Sequence, residues 1–257
     1  MENDEYRVMY SLEQSYWWFV GKQFLVRNSL KRLPFNGFRK DKILDIGCGT
    51  GIILKTLEES GTAYGMEFSP EAIKFLRKRD LKLIARSDAN QSIPFKNDTF
   101  SAITCLDVLE HLENDLTLLK EMVRVCKPGG YILITVPAFD IFWSPHDVAL
   151  HHRRRYTRKQ MLENVSKLHC KVIKASYYNT ILSVPILAVR KIKSLFSYRK
   201  HAQSDFFISL PDCLNKALGL LFTAEIYYLR FFNLPFGVSF LLILKKLGEN
   251  QPDIEAR

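Results

Sequence analysis

The sequence has no Cys-x-x-Cys pair and no even set of closely spaced cysteines. Its five cysteines stand singly, at Cys48, Cys105, Cys126, Cys170 and Cys213. This distribution argues against a disulfide framework and against a structural zinc site. A secretory signal is not expected either, because the opening MENDEYRVMY is acidic and polar where such a signal is basic and then apolar. These absences predict a cytoplasmic protein.

Acidic residues are scarce in the C-terminal part of the chain. Between residues 151 and 246 there are 17 Lys and Arg but only 4 Asp and Glu, whereas the whole chain of 257 residues has a net charge of +10. The rest of the chain is therefore slightly acidic. A basic part joined to a core of ordinary charge indicates an anionic partner, such as a phospholipid surface, a phosphorylated carrier or nucleic acid.

From Lys42 onwards, short apolar segments alternate with segments of helical spacing. The predicted strands are KILDIG, TAYGMEF, LKLIARSDA, SAITCLDVL, YILITVP and Lys171–Tyr177. A strong break is predicted at Lys127-Pro128-Gly129-Gly130. Strands that alternate with helices predict an α/β fold, in which a doubly wound parallel sheet is covered by helices on both faces.

A glycine-rich turn, Gly47-Cys48-Gly49-Thr50-Gly51, follows the first predicted strand. Such a turn lets the backbone approach a ligand at the carboxyl ends of the strands. Its spacing is GxGxG, and Ile52 stands where the dinucleotide fingerprint has its third glycine. Glu67 ends the second strand, where a carboxylate can bind both hydroxyls of a ribose, and Asp88 follows the third. The pattern predicts a nucleoside-binding crevice.

The stretches DIGCGTG, DVLEHL and RVCKPGGYILITVP, with Glu67 and Asp88 between them, resemble the successive motifs of class I S-adenosylmethionine-dependent methyltransferases over residues 42–138. The resemblance implies a Rossmann-like, seven-stranded, mostly parallel sheet whose last, antiparallel strand is GVSFLLILKK. It implies S-adenosyl-L-methionine as the cofactor. The implied cofactor-binding residues are Asp45, Gly47, Cys48, Gly49, Gly51, Glu67, Phe68, Asp88, Ala89 and Leu106.

Within that set the resemblance implies separate roles. Asp45 and the glycine turn would hold the methionine end of the cofactor, and Glu67 the ribose. Phe68 would pack against the adenine. Asp88 and Ala89 would contact the edge of the adenine, and Leu106 would line the pocket.

A looser resemblance extends beyond this core. Tyr16-Trp17-Trp18-Phe19, the segment His151–Tyr156 and Tyr177-Tyr178-Asn179 are similar to microbial methyltransferases often found beside glycan and cell-envelope genes. This implies a small-molecule, lipid-linked or glycan acceptor. The arginines of residues 153–155 favour an acceptor that carries a phosphate or carboxylate.

Methyl transfer to a hydroxyl needs a general base, and His111 and His151 are the candidates. Asp107, Glu110 and His111 have the spacing of one helical side and could hold a divalent ion, although the same residues suit a helix start, so no metal is assigned. His151 lies in a histidine- and arginine-rich segment, residues 146–156, after the fifth strand. Its alternative interpretation is a solvated basic turn.

Two apolar, aromatic-rich segments, TILSVPILAVRKIKSLF and CLNKALGLLFTAEIYYLRFFNLPF, precede the last strand. We expect either a helical lid over the pocket or a reversible contact with an anionic membrane surface. The cations assigned to that contact are Arg190, Lys191, Lys193, Arg199 and Lys200. A transmembrane span is not expected, because the stretch Ile226–Leu244 contains Arg230, Asn233 and Pro235.

The predicted organisation is an N-terminal helical cap (1–40), a methyltransferase core (41–178), the apolar insertion (179–235) and a last strand with a tail (236–257). The predicted activity is methyl transfer from S-adenosylmethionine, at oxygen. An NAD(P)-dependent oxidoreductase and an inactive cofactor-binding relative are the alternatives. Nucleic acid is disfavoured, because Asp107-Val108-Leu109-Glu110 stands where base-amine methyltransferases have Asn/Asp-Pro-Pro-aromatic.

Overall fold

The computed structural model describes residues 3–34, 41–196 and 210–248. For residues 191–196 it describes the backbone alone. Its strands are β1 (Lys42–Ile46), β2 (Thr62–Glu67), β3 (Ile84–Arg86), β4 (Phe100–Leu106), β5 (Cys126–Pro137), β6 (Cys170–Tyr178) and β7 (Ser239–Lys246). They form a seven-stranded sheet in the order β3-β2-β1-β4-β5-β7-β6. β7 runs antiparallel to both neighbours, and the other pairings are parallel. The predicted doubly wound fold is confirmed.

Helices cover both faces of this sheet. They are α1 (Asn3–Leu12), α2 (Trp17–Leu30), α3 (Ile52–Leu57), α4 (Pro70–Lys78), α5 (Asp115–Val125), α6 (Pro145–Ala149), α7 (Arg158–Val165), α8 (Ser183–Phe196) and α9 (Asp212–Leu229). Several start at a side-chain cap. The Ser69 hydroxyl accepts from the Ala72 amide at 3.3 Å with Pro70 in the first helical position, as the sequence predicts. Within the described ranges, none of the helices has the length and apolarity that a bilayer crossing needs.

The predicted break at residues 127–130 lies inside a strand. Phe100 of β4 pairs with Cys126 and Ala102 pairs with Tyr131, so the four residues between bulge out opposite a single residue of β4. Gly129 has a φ of +77°, which a residue with a side chain rarely adopts. The Pro-Gly-Gly sequence therefore ends neither element: α5 stops at Val125, and β5 runs through the bulge.

α2 and α9 pack against each other on one face of the sheet. Trp17 and Leu25 of α2 share a buried cluster with Phe222 and Ile226 of α9. The Phe222 ring stacks on Tyr178 of β6 at a centroid distance of 5.9 Å. α2 and α9 thus form one layer on this face of the sheet.

α2 and α9 are closely packed at Gly21, where a larger side chain does not fit. A Cβ at this position would lie 2.0 Å from the Phe222 ring, whereas a Cβ at Gly219 would meet its nearest neighbour at 3.8 Å. We expect Gly21→Ala to lower the free energy of unfolding by about 1–3 kcal/mol through overpacking. Gly219→Ala, within α9, is the matched control and should raise it by roughly 0.5–1 kcal/mol. Urea unfolding measures both, and equal stability of the two variants would contradict the packing described.

Candidate functional site

A cavity of about 420 Å³ opens at the carboxyl ends of β1, β2 and β4, a volume typical of small-molecule sites. The predicted cofactor residues that line it are Asp45, Gly47, Cys48, Gly49, Glu67, Phe68, Asp88, Ala89 and Leu106. His111 lines it as well. Gly51 and His151 are not among the lining residues. The structure therefore brings nine of the ten predicted cofactor residues together.

Glu67 is a buried carboxylate that points into the glycine turn. Its Oε2 accepts from the Gly49 amide at 2.9 Å, and its Oε1 accepts from the amides of Phe68 and Ser69 at 2.9 and 2.8 Å. Three backbone donors fix the carboxylate at the end of β2. Because each carboxylate oxygen can accept more than one hydrogen bond, both oxygens can still receive ribose hydroxyls.

Asp45 lies deeper in the crevice and is almost fully buried. Its Oδ1 accepts a hydrogen bond from the Thr104 hydroxyl of β4 at 2.6 Å. Burial raises the pKa of this carboxyl from 3.8 to about 7, and the nearby charge of Glu67 acts in the same direction. The free protein thus holds a carboxyl that ionises near neutral pH where a positively charged group of a ligand can meet it.

This raised pKa predicts a pH-dependent affinity. A ligand that carries an ammonium group favours ionised Asp45, so its binding releases a proton below the free-state pKa of about 7. We expect the affinity for S-adenosylhomocysteine to rise with pH up to about 7 and then to level off. Calorimetry across this range checks the prediction. Asp45→Asn should abolish the proton release, and a release that persists in this variant would assign it to another group.

The three glycines of the turn all have positive φ angles. At Gly51 a Cβ would collide with the side chains of Leu76 and Leu81, so this glycine serves the packing of α3 against α4 rather than the cavity. At Gly49, by contrast, a Cβ would meet no atom within 4 Å. The space beside Gly49 belongs to the cavity and is free for a ligand.

Gly49→Ala is therefore expected to weaken the binding of S-adenosylhomocysteine. A methyl group would enter the space that the ligand needs, at a backbone angle of +53° that already disfavours alanine. Gly129→Ala is a matched control, because Gly129 also has a positive φ and also faces open space, but it lies in the bulge of β5. We expect at least about a tenfold loss of affinity for Gly49→Ala and none for Gly129→Ala, as measured by calorimetry.

The adenine end of the predicted site is more open. Phe68 is 59% exposed although it is a large apolar side chain, and it stands beside the cavity. Oδ1 of Asp88 accepts from the amide and the side chain of Asn90 at 2.9 and 3.0 Å, which fixes the carboxylate at the end of β3. Cys48 is buried, and burial raises the pKa of its thiol well above 9, so it remains protonated. These groups form an apolar rim with one fixed acceptor.

Two histidines face each other on the other side of the cavity. The rings of His111 and His152 meet edge to face at 4.9 Å. Nδ1 of His152 lies 2.9 Å from Oδ1 of Asp147, a buried carboxylate that Arg155 also binds. Burial alone would raise the pKa of Asp147, but His152 and Arg155 outweigh it and hold the pKa below its usual value. Asp147 is thus an ionised carboxylate that orients the His152 ring.

The predicted candidate His151 is exposed and does not line the cavity. It has a φ of +58°, in a turn where its amide donates to the carbonyl of Val148. This left-handed residue points its side chain away, and the next histidine along the chain faces inward. The structure therefore brings His111 together with His152 and leaves His151 outside.

Glu110 is fully buried, and neither of its carboxylate oxygens has a hydrogen-bond partner. Burial and the neighbouring Asp107 raise the pKa of Glu110 well above its usual value. Glu110, His111 and His152 offer one ligand atom each, and these atoms lie within 4.8 Å of one another, so the candidate cation site differs from the set of Asp107, Glu110 and His111 that the spacing allows. Asp107 is instead bound to Lys22 at 2.6 Å.

The helical segment before β1 supplies a wall of the cavity that sequence reasoning did not assign. The lining residues from α1, α2 and the turn between them are Tyr6, Met9, Glu13, Trp18, Phe19 and Lys22. Nζ of Lys22 also donates a hydrogen bond to the Thr135 hydroxyl at 2.7 Å. It lies 5.5 Å from the centre of the Trp18 ring and 5.5 Å from the centre of the Tyr178 ring. Burial alone would lower the pKa of Lys22, but the Asp107 carboxylate outweighs it and raises the pKa. The aromatic Tyr16–Phe19 motif was the one available signal for this wall.

The arginines predicted to bind an acidic acceptor have other partners. Arg153 pairs with Glu113 at 3.1 Å, and Arg154 donates to the carbonyls of Leu112 and Glu113. Arg155 and Arg190 line the cavity; Arg190 donates to the carbonyl of Phe142 at 3.0 Å. Its assignment to a membrane contact is wrong, because its side chain is buried. Of the other cations assigned to that contact, Arg199 and Lys200 lie outside the described residues, as do the side chains of Lys191 and Lys193.

Comparisons with known proteins agree with this geometry. Residues 44–134 match the model of a methyltransferase domain family. The chain is 25% identical over 134 residues to the ubiquinone biosynthesis O-methyltransferase of Aliivibrio fischeri (47% of this chain, 57% of the relative) and 30% identical over 143 residues to the mitochondrial one of Schizosaccharomyces pombe (48% and 51%). It thus spans about half the length of these curated relatives.

Among solved structures, a chain of the complex between the Haloferax volcanii Trm112 methyltransferase activator and a methyltransferase aligns with a TM-score of 0.60. The identity is 17%, and 94% of each chain is covered. At this identity the likeness shows the fold alone.

The fold and the cavity define a doubly wound α/β protein with a nucleoside-type crevice at the carboxyl ends of its parallel strands. The matched segment carries the glycine turn, Glu67 and Asp88 of that crevice. The segment 44–134, which matches the methyltransferase domain family, has the motifs of class I S-adenosylmethionine-dependent methyltransferases, and S-adenosylmethionine is the cofactor of that family.

Proposed function

We propose that the protein transfers the methyl group of S-adenosylmethionine to a hydroxyl oxygen of a small-molecule acceptor. The observation that carries the proposal is the pairing, within one cavity, of a nucleoside-type crevice with an imidazole that a buried carboxylate orients. The names of the curated relatives, ubiquinone biosynthesis O-methyltransferases, support methylation at oxygen.

The crevice fits the cofactor in chemistry and in size. Glu67 would bind the two ribose hydroxyls, the free space beside Gly49 would admit the methionine end, and Asp45 would face its ammonium group. Phe68 would cover the adenine. When bound, the cofactor supplies a methyl group on a positively charged sulfur, which needs no further activation. The residues of the protein therefore have to position the acceptor and exclude water.

His152 is the proposed general base. Asp147 at Nδ1 fixes the ring, so Nε2 is the nitrogen free to take the proton of an acceptor hydroxyl. The second ring, His111, has its pKa lowered to about 4 by burial and by His152. It is neutral at physiological pH, so it can accept a hydrogen bond from the methyl acceptor or donate one to it. Glu110, whose two carboxylate oxygens have no hydrogen-bond partner, lies next to both histidines.

A divalent cation held by Glu110, His111 and His152 is the alternative means of activating the hydroxyl, and the two unpartnered oxygens of Glu110 favour it. Turnover before and after treatment with EDTA separates the two. Turnover that survives EDTA supports the base, whereas turnover that EDTA abolishes and added Mg²⁺ restores supports the cation.

Two measurements test the proposed function. Calorimetry with S-adenosylhomocysteine and with NADH separates methyl transfer from an oxidoreductase, since we expect binding of the first ligand alone. Incubation of cell-envelope lipid and glycan fractions with a labelled methyl donor then separates an active enzyme from an inactive relative. Label that enters neither these fractions nor a small-molecule fraction would contradict the proposal. Label in the lipid fraction would identify a lipid-linked acceptor.

A further inference from the structure

The chain carries a concentration of exposed aromatic side chains where α9 ends and leads into β7. We name it the aromatic tip and define it by Tyr227, Tyr228, Phe231, Phe232 and Phe236. Phe231 is 72% exposed and Phe232 is 55% exposed. Contiguous exposed apolar side chains of this size are uncommon on a protein surface and mark a place that contacts a partner or a membrane.

The aromatic tip is held in place by the body of the protein. Lys174 of β6 donates to the carbonyls of Leu229 and Phe232, and the Thr180 hydroxyl donates to the carbonyl of Phe236. Leu234 forms a bridge with Tyr177. The rings are therefore presented on a fixed backbone, which lowers the entropy lost when they insert into another phase.

Three cations, Arg32, Lys174 and Arg230, lie at this tip. The Arg32 side chain donates to the carbonyl of Arg230 at 3.1 Å, and Lys174 lies beside both. Burial and the Arg230 guanidinium lower the pKa of Arg32, and burial and Arg32 lower the pKa of Lys174. In the part of the chain that the structure describes, none of the three forms an ion pair. Such a cluster favours an anion that approaches from outside.

We propose that the aromatic tip, with Arg32, Lys174 and Arg230, is a docking surface for an anionic lipid bilayer. Aromatic rings insert at the boundary between headgroups and acyl chains, and the cations bind the phosphates above them. An acidic protein surface would pair with the cations but would offer no apolar environment in which the five exposed rings could be buried. The combination of rings and unpaired cations therefore favours the bilayer.

This surface connects directly to the cavity. The Phe236 ring stacks on Phe139 at a centroid distance of 5.0 Å, and Val238 and Ser239, two and three residues further along the chain, line the cavity. The backbone of Gly237, between Phe236 and Val238, packs so closely on β6 that a Cβ there would lie 2.3 Å from the carbonyl oxygen of Tyr178, so no other residue fits at this position. A docked protein would thus hold the cavity wall next to the lipid. That the acceptor comes from the bilayer rests on the proposed function, whereas the docking itself does not.

Co-sedimentation with vesicles tests the docking. We expect the wild-type protein to bind vesicles with about 30% phosphatidylglycerol at about 50 mM NaCl, and to be released at about 500 mM NaCl or on pure phosphatidylcholine. Phe231→Ser with Phe232→Ser should lower the partition coefficient at least about tenfold. Arg230→Glu should lower it about tenfold or more, since each cation contributes roughly fivefold.

Matched controls lie elsewhere on the surface. Leu83→Ser removes an apolar side chain that is 44% exposed beside β3, at the opposite edge of the sheet, and Lys120→Glu reverses an exposed charge on α5. Both should bind vesicles like the wild type. The tip variants should keep the wild-type melting temperature and affinity for S-adenosylhomocysteine, which separates a failed surface from a failed methyltransferase. A wild-type protein that does not sediment, or tip variants that sediment unchanged, would overturn the proposal. So would tip variants that change only the oligomeric state.

Discussion

Replacing His152 by glutamine is expected to lower the rate of methyl transfer about 10²–10⁴-fold, the usual contribution of a positioned general base. Glutamine keeps a polar side chain next to Asp147 but cannot take a proton from the acceptor. The affinity for S-adenosylhomocysteine should stay unchanged, because His152 contacts Asp147, Glu110, His111 and His146, none of which is a predicted cofactor residue. Transfer of labelled methyl groups to the accepting fraction, together with calorimetry, measures both quantities.

The neighbouring residue provides the control. His151 has the same chemistry one position earlier but is exposed, so His151→Gln should keep the rate within about twofold of the wild type. Asp147→Asn should lower the rate less than His152→Gln, because the imidazole remains but loses the carboxylate that fixes its orientation. Equal losses in His151→Gln and His152→Gln would contradict the assignment of the base.

Glu67→Ala is expected to lower the affinity for S-adenosylhomocysteine at least about 100-fold. In the proposed complex the variant removes two hydrogen bonds that the ribose hydroxyls would donate to the charged carboxylate, each contributing about 1.5–3 kcal/mol. It also leaves the amides of Gly49, Phe68 and Ser69 without the acceptor that orders the glycine turn. Calorimetry of the purified variant measures the change.

Asp88→Asn is the smaller change for comparison. Its oxygen already accepts two bonds from Asn90, and an amide keeps the shape of the side chain, so we expect a loss of about tenfold or less. Glu67→Gln should fall between these two variants, since it retains one acceptor oxygen. A Glu67→Ala protein with wild-type affinity would exclude the crevice as the cofactor site.

The sequence predicts the half of the cavity that the parallel strands carry. Asp45 and Glu67 each end or nearly end a predicted strand, and the carboxyl ends of neighbouring parallel strands meet at one edge of a sheet. Their convergence follows from topology alone. Gly51 belongs to the same glycine motif, but it packs against Leu76 and Leu81, which lie later in the chain. The motif alone therefore could not predict that Gly51 lies outside the cavity.

The other half of the cavity depends on contacts between distant parts of the chain. Lys22 is one polar residue on an amphipathic helix, and nothing local indicates that it is buried against Asp107. The choice between His151 and His152 depends on a single left-handed residue in a turn, which reverses the direction in which consecutive side chains point. Such details follow from tertiary packing rather than from spacing.

The cavity walls contributed by α1, α2 and α8 have a consequence for how the proposed specificity could evolve. The segment shared with the methyltransferase domain family, 44–134, contains the strand ends around Asp45 and Glu67, whereas Trp18, Lys22 and Arg190 lie outside it. The strand ends of the cavity and its outer walls are thus encoded in separable stretches of the gene. If the strand ends bind the donor and the outer walls bind the acceptor, as proposed, a graft of a relative's outer helices onto this sheet should change the acceptor and leave the affinity for S-adenosylhomocysteine unchanged.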